Sequence, residues 1–245
     1  MSKINNSEKT LIVQDLMFGY ARQEPILQNI SFTIHSGERV ALMGATGAGK
    51  STLLENLIGL KLPKSGQILI NGISLESKNL SEIRLQVGFA FQNPDDQLFM
   101  PTILEDVMFG LRNQGMPLIE AKEKARLVLS QFGLIYYENR SSHELSGGQK
   151  RLAALASILV LEPSILILDE PTNGLDPAWR KKLAHILSDL PLKVILIASH
   201  DLNWIKKTTD RCLILAHGKI VVERPTQELL QDEEMLELHG LPPNW

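Results

Sequence analysis

Short apolar runs of strand character alternate along this chain with segments whose apolar residues recur at helical spacing. Arg39–Met43 predicts a strand ending in a glycine-rich turn. Behind it Leu53, Leu54, Leu57 and Ile58 share a face, which predicts a helix over Lys50–Ile58 that Gly59 stops. Gln67–Ile70 predicts a strand closed by the turn pair Asn71-Gly72, and Val87–Phe91 predicts another. The texture changes after Asn93. From Ile103 to Val160 the pattern is almost wholly helical, with Ala121, Ala125, Val128, Leu129 and Phe132 in helical register and Gly133 as a stop. Strand runs resume at Ile165–Leu168 and Val194–Ala198. Between them Asp176 as N-cap and Pro177 at the first position open a helix that ends before Pro191. Cys212–Ala216 and Lys219–Glu223, joined by His217-Gly218, predict a hairpin, and the tail from Pro225 predicts a helix with an irregular end. This alternation predicts an α/β fold with a mainly parallel sheet and an inserted helical subdomain.

Composition narrows the possibilities. The 245 residues suffice for a sizeable core, and 44% apolar with 22% charged residues is an ordinary globular balance. Lys and Arg number 25 against 28 Asp and Glu, a formal charge of −3, so the chain lacks the positive field of a typical nucleic-acid binder. Cys212 is the single cysteine, which excludes an internal disulfide and a cysteine-rich metal site and fits a reducing compartment. The longest apolar region, Leu152–Leu168, is broken by Glu162 and Pro163, short of the roughly 20 residues a spanning helix needs. Met1–Thr10 is polar and mixed in charge, unlike a signal peptide. The expectation is a chain soluble by itself.

Two motifs carry chemistry. Gly44-Ala45-Thr46-Gly47-Ala48-Gly49-Lys50-Ser51, followed by Thr52, matches G-x-x-x-x-G-K-[ST] between a predicted strand and a predicted helix. Its glycines let successive amides converge on phosphate oxygens at the positive end of a helix dipole. Lys50 would reach the β- and γ-phosphates, and the Ser51 hydroxyl would ligate Mg²⁺. The second motif is Ile165–Leu168 ending in Asp169 and Glu170. A buried strand delivers such carboxylates at its C-terminal end, where α/β sheets bind ligands. Asp169 would hold Mg²⁺, and Glu170 would orient and deprotonate an attacking water.

A third element, Leu145-Ser146-Gly147-Gly148-Gln149, opens the helical stretch through Lys150, Arg151 and Leu152. A serine hydroxyl, two glycines exposing amides and an outward dipole suit an anion, although a bare Ser-Gly-Gly also serves as an N-cap with no ligand. These five residues match the signature of ATP-binding-cassette (ABC) ATPases, and the chain resembles that family from end to end. The resemblance implies a P-loop NTPase core over residues 1–91 and 161–224, with an N-terminal antiparallel β part, a helical subdomain over 92–160 and a tail over 225–245. It implies that Tyr20 stacks on adenine, that Gln92 senses Mg²⁺ and the attacking water, and that His200 contacts the γ-phosphate. Asn173-Gly174-Leu175-Asp176 resembles the loop that communicates between subunits, with Gly174 where many members have alanine. It further implies ATP bound on the phosphate loop of one chain and closed over by Ser146, Gly147, Gly148 and Gln149 of a second, so that a pair of ATPase subunits is needed.

The stretch Phe91-Gln92-Asn93-Pro94-Asp95-Asp96-Gln97-Leu98-Phe99, with Pro101-Thr102, Glu105-Asp106-Val107 and the tail from Pro225 to Pro243, is similar to the energy-coupling-factor branch. That branch powers uptake of vitamins or of cobalt and nickel ions. The likeness implies a transmembrane coupling protein docked between the Gln92 loop and the helical subdomain, a separate substrate-capture membrane protein, a place on the cytoplasmic face of the membrane, and no nucleic-acid partner. Three rivals stand beside it. The chain could serve an efflux pump or a binding-protein-dependent importer. It could be a cassette acting on nucleic acid, although only 146 − 50 = 96 residues separate Lys50 from Ser146, too few for a coiled-coil insertion. A nucleotide kinase would share the phosphate loop but leave Leu145–Gln149 unexplained.

Overall fold

The strand β7 (Ile165–Asp169) shows why this chain folds as it does. Ile165 and Ile167 pack into one apolar core and Leu166 and Leu168 into the other, the period of two expected of a strand covered on both faces. A computed structural model describes residues 8–21 and 24–241. In chain order, β1 (Lys9–Phe18), β2 (Leu27–His35) and β3 (Arg39–Met43) precede α1 (Lys50–Leu57). Then come β4 (Ser65–Ile70), β5 (Ile73–Ser74), α2 (Leu80–Gln86) and β6 (Val87–Ala90). The helices α3 (Ile103–Asn113), α4 (Leu118–Gln131) and α5 (Gly147–Leu159) follow, and the chain returns through β7 and α6 (Pro177–Asp189). It ends with β8 (Val194–Ala198), α7 (Leu202–Thr208), β9 (Arg211–Ala216), β10 (Lys219–Pro225), α8 (Thr226–Leu229) and α9 (Glu233–Leu238).

Two sheets result. An antiparallel sheet runs in the order β2-β1-β4-β5, and a six-stranded sheet in the order β10-β9-β3-β8-β7-β6. All pairs in the second are parallel except β10 with β9. The N-terminal antiparallel part and the mainly parallel core expected from the sequence are therefore both present. One core lies between the two sheets and takes in α1; the other joins α3, α4, α5 and α6 to the opposite face of the parallel sheet. A third cluster seats Leu229, Leu236 and Leu241 on Ala41, Met43, Cys212 and Ile214 of the strands β3 and β9.

The apolar pattern located most elements to within two residues. Asn71-Gly72 does turn the chain, although the strand that answers β4 is only Ile73–Ser74. The tail is two short helices, α8 and α9, where one was expected, and Pro242 and Pro243 lie outside the described residues. Among the described residues no helix is long and apolar enough to cross a membrane.

In the helical part, Thr102 and Glu105 form a reciprocal cap at the start of α3. One turn on, the buried Asp106 carboxylate accepts the backbone N–H groups of Phe99 and Met100, both at 2.9 Å, and so fixes the loop leading in from β6. Burial pushes the Asp106 carboxyl up, against the lowering effect of those two bonds. The folded chain thus holds this proton to higher pH than the unfolded chain, and stability falls as pH rises through the raised pKa.

Two outcomes are expected. Leu166→Ala, at the centre of β7, should cost about 2–5 kcal/mol in urea unfolding. Asp106→Asn keeps an acceptor for both N–H groups and removes the buried charge. Its stability relative to the parent should therefore increase between about pH 4 and about pH 7.5, measured by unfolding at both.

Candidate functional site

Parallel strands end at one edge of the sheet, and four of these ends supply the polar groups expected from the sequence. The strand β3 delivers Gly44 to the phosphate loop. Gly44 has φ +153°, and a Cβ there would lie 2.3 Å from the Leu215 carbonyl oxygen, so the loop leaves the sheet where only glycine fits. Gly49 stands at the N-cap of α1 with φ +103°. The Lys50 ammonium curls back over the loop and donates to the carbonyl oxygens of Gly44 at 2.7 Å and Ala45 at 3.2 Å.

The strand β7 ends in Asp169, which is 5% exposed. Burial pushes its carboxyl up and the neighbouring Glu170 adds to this, while a hydrogen bond from Ser51 and the charge of Lys50 oppose it. Asp169 Oδ1 is buried without a hydrogen-bond partner among the described residues. An orphaned carboxylate oxygen beside a serine hydroxyl is a donor set that fits a hard divalent cation. Glu170 follows with φ +43°, and its N–H donates to Ala198 O of β8 at 2.8 Å. Left-handed backbone in a glutamate carries strain on the order of 1 kcal/mol or more, and such strain gathers at functional sites.

His200 leaves the end of β8 with Nδ1 2.9 Å from Glu170 Oε2. Asp201 braces the turn behind it by capping α7 through Trp204 N and pairing with Arg180 at 2.7 Å. Gln92 stands two residues beyond the end of β6. Thr46, Gly47, Gly49, Lys50, Ser51, Thr52, Gln92, Asp169, Glu170 and His200 line one cavity of about 480 Å³, together with Ile26 and Asn173.

The remaining expected residues stand elsewhere. Tyr20 is 44% exposed, its ring set edge-on to Phe18 and its hydroxyl accepting from Lys61 at 2.6 Å. Ala45 and Ala48 belong to the loop's other side, where they line a neighbouring pocket with Pro25 and His217. Ser146, Gly147, Gly148 and Gln149 form the N-terminus of α5, outside the cavity of their own chain. There Ser146 Oγ accepts Gln149 N and Gln149 Oε1 accepts Ser146 N, a capping box. Gly147 is open on its Cβ side, whereas a Cβ on Gly148 would lie 2.3 Å from the Trp179 ring. Asp176 caps α6 by accepting Trp179 N at 2.9 Å, as its sequence position indicated.

Two residues escaped the sequence reading. Trp179 crowds Gly148 of the signature turn, and Arg151, 3% exposed, donates to the carbonyl oxygens of Phe91 and Gln92. The available signal for the second was an arginine among apolar neighbours on the buried face of α5.

The family model for ABC transporters matches residues 27–173. The energy-coupling factor transporter ATP-binding protein EcfA of Methanothermobacter thermautotrophicus is 41% identical over 91% of this chain and 73% of its own length. A solved structure of cbiO1 from Clostridium perfringens, part of the ABC transporter complex cbiONQ, superposes with a TM-score of 0.83 at 32% identity, covering 96% of this chain and 95% of that one. A dimeric ATP-binding cassette in a post-hydrolysis state with ADP and Pi gives a TM-score of 0.80 at 28% identity over 88% of this chain and 98% of its own.

Proposed function

This chain belongs to the ABC transporter family, as an ATPase whose hydrolysis is coupled to transport, and from that premise we propose that it drives an energy-coupling-factor type importer of a vitamin or a transition-metal ion. The observation that carries the chemistry is the single cavity gathering Lys50, Ser51, Asp169, Glu170, Gln92 and His200 at the C-terminal edge of the sheet. The importer class is supported by the likeness to EcfA and cbiO1 and by the Gln92–Phe99 segment.

In this reading the amides of Gly44 to Ser51 and the positive end of α1 bind the phosphates of ATP. The Lys50 ammonium exchanges its two backbone carbonyls for phosphate oxygens, a charge-assisted and stronger partnership. Ser51, Asp169 and Gln92 would hold Mg²⁺, which neutralises phosphate charge when bound. Tyr20 offers an exposed aromatic face to adenine. Glu170, fixed by its backbone bond to β8, orients a water and takes its proton, and His200 beside it contacts the γ-phosphate.

Ser146, Gly147 and Gly148 lie outside the cavity of their own chain, and in this reading they serve the site of a second ATPase subunit, a copy or a relative. Ordering the two subunits around ATP requires about 5.5 kcal/mol of differential binding to move a population from 1:99 to 99:1. A few charge-assisted bonds per site, at about 1.5–3 kcal/mol each, supply it. Hydrolysis and phosphate release withdraw those bonds and reopen the pair. The transmembrane coupling protein docks beside the Gln92 loop, where Phe99, 62% exposed, packs edge-on to Phe109. A separate membrane protein captures the substrate, and the ATPase works from the cytoplasmic face.

Glu170→Gln should leave ATP binding intact, lower turnover by at least about 100-fold and trap an ATP-bound dimer seen by light scattering; normal turnover would remove Glu170 from its role. Lys50→Ala should weaken ATP affinity by about tenfold or more in titration with a fluorescent analogue. The importer class is tested by purifying the tagged chain with its membrane partners and assaying vitamin and cobalt uptake in proteoliposomes. Co-purification with an exporter or with nucleic acid instead would overturn it.

A further inference from the structure

Tyr20 stands two residues beyond the end of β1, where its ring meets Phe18 edge-on with centroids 5.5 Å apart. Its polar contacts come from the segment that follows α1. Lys61 Nζ donates to the Tyr20 hydroxyl at 2.6 Å and pairs with Glu55 Oε2 at 2.5 Å. Glu55 belongs to α1, the helix that begins with Lys50 and Ser51. Backbone bonds secure the same segment. Leu60 and Lys61 donate their N–H groups to Glu55 O at 3.0 and 3.2 Å. Lys64 donates N–H to Met17 O at 2.8 Å and Nζ to Tyr20 O at 3.3 Å. The end of β1 is thereby joined to the far end of the phosphate-loop helix.

The placing of the ammonium matters. It lies 5.2 Å from the ring centroid and 2.6 Å from the hydroxyl oxygen. Those two distances set it beyond the hydroxyl and near the ring plane, so it covers neither face of the ring. Tyr20 stays well exposed, whereas the Lys61 and Glu55 side chains are each less than a third exposed. Their pairing is therefore shielded in part from the solvent that weakens ordinary surface ion pairs. Glu55 first and Tyr20 second push the Lys61 ammonium up from the ordinary lysine range, against burial. A ring that is set before a ligand arrives loses less rotamer freedom on stacking than one that swings.

We propose that Lys61, anchored by Glu55, is a positioning residue for the base of the nucleotide: it ties the Tyr20 ring to the helix that carries the phosphate loop, and so sets the stacking platform at a fixed span from the phosphate groups. This rests on the reading above in which Tyr20 stacks on adenine. Lys61 acts through the Tyr20 hydroxyl and not by touching the nucleotide. The phosphate contacts of Lys50 and Ser51 are independent of it.

The test uses the full chain and titrates it calorimetrically with two ligands: Mg·ADP, which carries the base, and Mg·pyrophosphate, which lacks it. Lys61→Met should weaken ADP about fivefold and pyrophosphate by less than about twofold. Tyr20→Phe keeps the ring and removes the acceptor, so it should match Lys61→Met for both ligands. Combining the two should weaken ADP by less than about twofold more, because both remove one and the same bond. An unchanged ADP affinity, an equal fall for both ligands, or effects that multiply in full in the double variant would each overturn the proposal. Should Lys61→Met not fold, Tyr20→Phe decides by the same two titrations. Tyr20→Ala separates this proposal from the reading beneath it, and should weaken ADP about tenfold. If Tyr20→Ala leaves ADP affinity unchanged, the stacking reading fails and takes this proposal with it. If Tyr20→Ala weakens ADP while Lys61→Met and Tyr20→Phe do not, the Lys61 link alone is removed.

Discussion

Parallel strands covered on both faces have only their ends free for chemistry, and this constraint organises the whole site. The strands β3, β6, β7 and β8 terminate at one edge, so the phosphate loop, Gln92, the Asp169–Glu170 pair and His200 are brought together by sheet topology and not by proximity in sequence. The antiparallel sheet closes one face of that layer, and the helices close the other. Because β7 and β8 are buried along their whole length, the carboxylates and the histidine stand on backbone that burial holds still.

That rigidity sustains groups that would be unfavourable elsewhere. Asp169 keeps a buried oxygen without a hydrogen-bond partner among the described residues, Glu170 sits in left-handed backbone, and Arg151 buries a cation. Each is destabilising on its own. They cluster where β6 and β7 end and α5 passes beneath, which places the cost where a nucleotide, a metal ion and a moving loop would use it. Asp106, a buried carboxylate in the helical part, uses Oδ1 on two backbone N–H groups of a loop, and its Oδ2 too is buried without a partner among the described residues.

The sequence made the parallel core legible. Ile165–Asp169 and Val194–Ala198 are continuous apolar runs bounded by turn signals, and Asp176-Pro177 announces α6 by cap chemistry alone. What the pattern did not delineate are β1, β2, α2 and α7. Register shifts interrupt the alternation where β1 pairs with β2. The two helices have seven residues each, too few for a period to stand out, and α2 buries only Ile83. Among site residues, the phosphate loop was readable because glycine spacing encodes backbone shape. Tyr20, Gln92 and His200 had no such local code and were reached only through family resemblance. Trp179 and Arg151 were missed for a further reason: their roles are contacts with residues far away in sequence, Gly148 and Phe91, which no local pattern records.

The links between α5 and the Gln92 loop are unequal. Lys150 and Asp95 are partly exposed, and such a pair contributes roughly 0–1 kcal/mol, screened further by salt. Gln97 makes two neutral bonds from a half-buried position. Arg151 makes two charge-assisted bonds in a buried setting, where losing the cation leaves two carbonyls unpaired. The weakest of these attachments is therefore at residue 95, between the buried bonds to residues 91 and 92 and the anchor that Asp106 gives Phe99 and Met100. The segment carrying Gln92 is thus held to α5 at its start and to α3 at its end.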